Sequence, residues 1–141
     1  MPYRKLLIVL SIFNSIVNTL YLVRFFGVLP PEEIVYGYIP WFMSFALPNF
    51  FLTLLSWVLV YSLLKKHDKL AVLSGLLNAG GLILHALIGL MFGFYTGLYT
   101  TISFGIIFEI AVYLYGLSLA SFYISQFWKF ISQNIGESGV R

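Results

Sequence analysis

Four stretches of this chain, residues 5–26, 41–64, 70–92 and 99–123, are each about 20 residues or more of predominantly apolar side chains. At about 1.5 Å per residue, a helix over any of them is long enough to cross the roughly 30 Å hydrocarbon layer of a bilayer. A barrel strand would need only about ten residues of alternating pattern, and these runs do not alternate. Because hydrocarbon offers no partner to a backbone N–H or C=O, helices are the expected form. The expected fold is therefore an all-α integral membrane protein, with four transmembrane helices in an antiparallel bundle forming one domain over residues 1–141.

Composition places the chain in the same class. It is 60% hydrophobic and 9% charged, whereas soluble domains carry about a quarter charged residues. The start has the basic residues and apolar run of a signal peptide. The run continues to about Phe26 with no small-residue cleavage pattern after it, so a retained first helix is expected. There is no cysteine, which excludes disulfide frameworks, thiol–disulfide chemistry and Cys-ligated zinc or iron–sulfur centres.

Charge sets an orientation. Arg4, Lys5, Lys65, Lys66, Lys69, Lys129 and Arg141 fall on one side of the four-span map, and only Arg24 lies near the other, with Glu32 and Glu33. Basic residues mark the cytoplasmic side, so both ends of the chain and the turn at residues 65–69 are expected in the cytoplasm of a multi-pass cell-membrane protein. Tyr36, Tyr38, Trp41, Tyr95 and Tyr99 sit where the outer interface should be, and Tyr3, Tyr61 and Trp128 near the inner one. The 65–69 turn reads as a contact for anionic headgroups, with no nucleic-acid partner expected.

Two further segments read as short interfacial helices. Pro30-Pro31-Glu32-Glu33 resembles a helix start lying on the outer surface. In the tail 124–135, Ile124, Phe127, Trp128 and Ile131 recur at i, i+3, i+4 and i+7, with Gln126, Lys129 and Gln133 elsewhere on the wheel. That tail is either an amphipathic helix at the interface, ending near Gly136, or a continuation of the fourth span.

Polar residues inside the spans are the candidates for function. Asn14 and Asn18 share a face of the first with Ser11. Asn49, Thr53 and Ser56 share one of the second, just after Pro48. Asn78, Gly81, His85 and Gly89 line the third, and Thr101, Gly105, Glu109 and Tyr113 the fourth. Asn18, Asn49, His85 and Glu109 are expected at similar depths, roughly 10–15 Å below the outer surface, as one hydrogen-bonded layer. Counted from Thr96, His85 and Glu109 differ by about 3 Å in height and are expected to pair across the hairpin. An ionised carboxylate at such depth costs about 2.5–3.5 kcal/mol even on lenient scales. Glu109 is thus expected to be neutral, to face a partner such as His85, or to face water. The functional reading of this pair is proton relay or cation binding, and the structural one an interhelical hydrogen bond. For Asn14, Asn18, Asn49 and Asn78 the structural reading leads.

One His and one Glu are too few for a zinc site of three or four ligands, so no metal or cofactor is expected, haem at His85 being the residual alternative. Ala71, Gly75 and Ala79, with Gly89, Gly93 and Gly97 beyond, form small-xxx-small patterns that let helices approach closely. With no internal repeat and no nucleotide or nucleophile-elbow motif, three functions are in contention. The first is a small subunit of a larger membrane complex, respiratory or transport, acting by helix packing with other subunits or by self-association. The second is a homo-oligomeric proton- or ion-linked carrier or channel using Glu109 and His85. The third is an intramembrane enzyme acting on a lipid or quinone, with the same two residues as acid and base.

Overall fold

The computed structural model describes residues 1, 3–27, 39–95 and 104–138, with side chains placed at 1, 3–20, 22–23, 48–95 and 105–132. The expected outer-surface helix at Pro30-Pro31-Glu32-Glu33, the aromatic residues Tyr36, Tyr38 and Tyr99, and Thr101 lie outside the described residues, as do the side chains of Arg24, Trp41 and Gln133. The described residues form four helices: α1 (Arg4–Gly27), α2 (Ile39–Leu64), α3 (Asp68–Tyr95) and α4 (Phe104–Ser138). No strand occurs among the described residues.

Two of these, α3 over Asp68–Tyr95 and α4 over Gly105–Ser132, are long and apolar enough to cross a membrane, and Pro48–Leu64 of α2 is a shorter apolar stretch. The α4 segment runs on without a break through the tail, so the fourth apolar run and residues 124–135 are one helix. Nothing in the sequence 120–135 interrupts it: there is no Pro, and Gly136 lies inside the helix rather than ending it. Likewise α2 continues through Pro48, which removes one ladder donor without stopping the helix.

The break between α2 and α3 is built from the residues at 62–68. Lys66 takes a left-handed conformation (φ 60°). The His67 N–H donates to Ser62 O at 2.9 Å and the Lys66 N–H to Leu63 O at 3.4 Å. These two bonds are the Schellman arrangement, here with lysine at the position glycine usually takes. The next helix starts at once, with Asp68 in its first turn, where a carboxylate favours the helix dipole.

Each helix packs on its sequence neighbour: α1 on α2, α2 on α3 and α3 on α4, with no other close helix pair among the described residues. The pairings run antiparallel. Trp57 Nε1 donates to Thr19 Oγ1 at 3.0 Å between α1 and α2, and the side chain of Leu52 covers Gly81 between α2 and α3. Asn14 and Arg4 of α1 reach across to Asn78 and Asp68, drawing α1, α2 and α3 into a triangle. Helix α4 lies outside it. Of the apolar windows of α3 and α4, 44% and 6% are buried respectively, so α4 is peripheral. At the basic end all four helices contribute to one apolar cluster of Leu7, Leu59, Leu63, Ala71, Val72 and Tyr123.

Candidate functional site

The interior of this assembly is unusually rich in small hydroxyls. Ser15, Ser56 and Ser62 are completely buried and Ser74 nearly so. Each donates to a carbonyl of its own helix: Ser15 to Ser11, Ser56 to Thr53, Ser62 to Leu59 and Ser74 to Leu70, at 2.7–2.8 Å. Thr19 and Thr53 do the same toward Ser15 and Asn49. A hydroxyl held this way costs little in an apolar setting and leaves a nearly smooth helix surface. The larger polar groups cannot be satisfied so locally, and they define the candidate site.

Asn14 and Asn78, predicted on separate faces, meet: Asn14 Nδ2 donates to Asn78 Oδ1 at 3.3 Å across the α1–α3 interface. Asn78 is fully buried, and its own Nδ2 has no hydrogen-bond partner. Asn49 on α2 is buried and Asn18 on α1 half-buried, and the Nδ2 of each also lacks a partner. Leaving such a donor unmade costs about 1–3 kcal/mol, so three amides aimed into the interior create a demand for acceptors there.

Glu109 is held by the α3–α4 packing. Its carboxyl lies directly on Gly89, where any Cβ would collide with it, and Oε2 has no hydrogen-bond partner. Toward the basic end, the ring of Tyr123 fills the space over Gly75 in the same way. Both pairs are centred on residue 99, three beyond Thr96, so Gly89 stands opposite Glu109 and His85 one helical turn, about 6 Å, further in. The offset arises because glycine contacts, not the length of the connection, set the helix register. His85 lines a groove between α2 and α3 with Pro48, Phe51, Leu52, Leu55, Gly81 and Leu84. The described hydrogen bonds and ion pairs include none between His85 and Glu109.

The polar groups are thus strung along α3. From the basic end outward come Tyr123 at Gly75, Asn14 at Asn78, His85, and Glu109 at Gly89, spread over 14 residues or about 21 Å. No group of three or more His, Asp or Glu able to hold a metal occurs among the described residues. The groove at His85 has a volume of about 180 Å³, below the roughly 300–1,000 Å³ of small-molecule sites.

Two features escaped sequence reasoning. Tyr123 sits at the end of the fourth apolar run, yet it is fully buried in the common cluster with an unpartnered hydroxyl. The small residue at Gly75 was the available signal. The second is an ion cluster in which Asp68 accepts from Arg4 Nη2 at 2.5 Å and from the Met1 amino group at 3.2 Å. Asp68 is the one acidic residue within the basic turn at residues 65–69, and that isolation was legible. Comparison of the chain with known protein families, with characterised proteins and with solved structures gives no match.

Proposed function

We propose that this chain is a four-span membrane subunit, with both ends in the cytoplasm, that acts within a larger membrane assembly by offering a helix face to a partner. Residues 6–23 of α1 and all of α2 contain no charged side chain, which supports spans there as well as in α3 and α4. The seven-to-one division of Lys and Arg supports the orientation.

The observation that carries the assembly role is the outward face of α4. Ala111, Ser118, Ser121 and Ser125 fall within one arc of that face and all are exposed. The hydroxyls of Ser118 and Ser121 donate back to Leu114 O and Leu117 O at 2.9 Å, which holds both side chains close to the helix surface beside the exposed Leu114 of the same arc. Lipid tails gain nothing from such small side chains, whereas a second helix can approach closely over Ser118, Ser121 and Ser125 and receive Leu114 as a knob. Purification in mild detergent with mass determined by light scattering tests this. The native chain should run in a larger species, and Ser118→Ile with Ser121→Ile should release it. A native chain that runs alone and carries an activity of its own would overturn the reading.

A second reading, a homo-oligomeric proton- or ion-linked carrier, is favoured by the unpartnered Oε2 of Glu109 inside the α3–α4 contact. On that reading Glu109→Gln abolishes pH-dependent flux in proteoliposomes. Undiminished flux in that variant would remove it.

A further inference from the structure

At the basic end, two concavities meet at a single side chain. One is an apolar groove of about 310 Å³ between α3 and α4, walled by Val72, Leu73, Leu76, Phe127 and Ile131, with Lys69 at its rim. The other is an open polar depression on the turn, lined by Lys66, His67, Asp68 and Lys69. Lys69 belongs to both. From Lys69 to Leu76 the groove descends about 10 Å along α3. A polar depression opening onto an apolar furrow is the imprint of an amphiphile, with its head at the turn and its chain between the helices.

The charges around the rim select the sign of the head. Four basic side chains, Arg4, Lys65, Lys66 and Lys69, lie in or against the turn, and Asp68 is its one carboxylate among the described side chains. That carboxylate is already engaged by Arg4 and the Met1 amino group. Lys69 is exposed, and no ion pair to it occurs among the described contacts. The excess positive charge at the mouth is therefore complementary to a phosphate.

We propose that this cleft is a binding site for an anionic glycerophospholipid of the cytoplasmic leaflet, with its phosphate at Lys69 and one acyl chain lying along the α3–α4 groove. The proposal rests on the membrane-spanning reading above, and it adds a specific lipid to it. Occupancy would also wedge the inner end of α4 against α3, where the packing is otherwise open.

The purified protein is reconstituted in phosphatidylcholine vesicles containing a minor fraction of phosphatidylglycerol with a photoactivatable acyl chain, and the labelled peptides are mapped by mass spectrometry. Label should concentrate on Leu73, Leu76, Phe127 and Ile131. Lys69→Gln should reduce it about fivefold, the loss expected from one lysine at an anionic surface. Lys65→Gln, an equal charge loss outside the apolar groove, should reduce it clearly less than Lys69→Gln does, and Leu73→Trp, which fills the groove from its exposed side, should abolish it. Equal losses for Lys65→Gln and Lys69→Gln, or label spread over every exposed helix face, would overturn the site while leaving the membrane reading intact. Failure of the protein to float with the vesicles would overturn both.

Discussion

The smallest features of this structure concern what stands opposite a glycine. At Gly75 the ring of Tyr123 occupies the volume a Cβ would need, while at Gly80 nothing lies within 4 Å. Adding the same methyl group to each should have opposite effects. Gly75→Ala displaces the ring within a fully buried cluster and is expected to cost about 1–3 kcal/mol. Gly80→Ala is expected to be neutral or mildly stabilising, because alanine restricts the unfolded chain. Thermal melts of the two variants in detergent should separate clearly, and coincident melts would show that the close α3–α4 approach is not formed. The turn offers the converse experiment. Lys66 holds a left-handed conformation that costs a side-chain-bearing residue about 1–2 kcal/mol. Lys66→Gly should therefore raise stability by about 0.5–1 kcal/mol after glycine's own entropy is subtracted. A loss of stability would mean that the lysine side chain contributes more than the backbone strain removes.

Between elements, the contacts that decide geometry are few and identifiable. The α3–α4 register is set where Gly75 and Gly89 receive Tyr123 and Glu109, and Gly116 meets Ile83 from the other side. The α1–α3 contact depends instead on polar groups: the asparagine pair in the middle and the Arg4–Asp68 ion pair at the basic end. In an apolar environment the Asn14–Asn78 bond should register as a coupling of about 0.6 kcal/mol in a cycle of Asn14→Ala, Asn78→Ala and the double variant, near the average for interhelical hydrogen bonds. A coupling indistinguishable from zero would show that the two amides do not meet. The ion pair is partly exposed, and such pairs contribute about 1 kcal/mol or less. Its main effect is to leave the surrounding lysines without an internal counter-charge.

At the scale of the whole molecule, α1 and α3 each pack on α2 and meet one another only through side chains, and among the described residues the backbone of α4 approaches that of α3 alone. In water the exposed surface of α4 would be a liability; in a bilayer it is available to lipid or to a second helix. The proposed topology has a direct check, made easy by the absence of native cysteine. A cysteine introduced at Ser138 should resist an impermeant thiol reagent applied to intact cells, and one at Gly37 should react. Reversed labelling would invert the orientation, and labelling of both would mean an even number of crossings between the two positions in place of the three proposed.

How much of this was legible in the residues follows from the range over which each interaction acts. Helix existence and approximate extent depend on local composition, so long apolar runs without alternation were sufficient to place α1 to α3 within a few residues, whereas α4 runs on to Ser138, well past the end of the fourth run at 123. The polar exceptions were also legible, because Asn14, Asn18, Asn49, Asn78, His85 and Glu109 stand out against an apolar background. Their partners were not. Counting residues from the middle of a connection put His85 level with Glu109, whereas the close approach of Gly89 moved the carboxyl one turn away. The Asn14–Asn78 contact joins residues 64 apart, and no periodicity within either helix encodes which neighbour its polar face will meet. The burial of Tyr123 is of the same kind, because a tyrosine near the end of an apolar run suits an interface as well as a core. Long apolar runs are enough to dictate helices over the described residues and to mark the side chains that are costly to leave alone. Which helices touch, and at what height, emerges only once they pack, because register is set by the shape of a few small residues in contact and not by the composition of the helices that carry them.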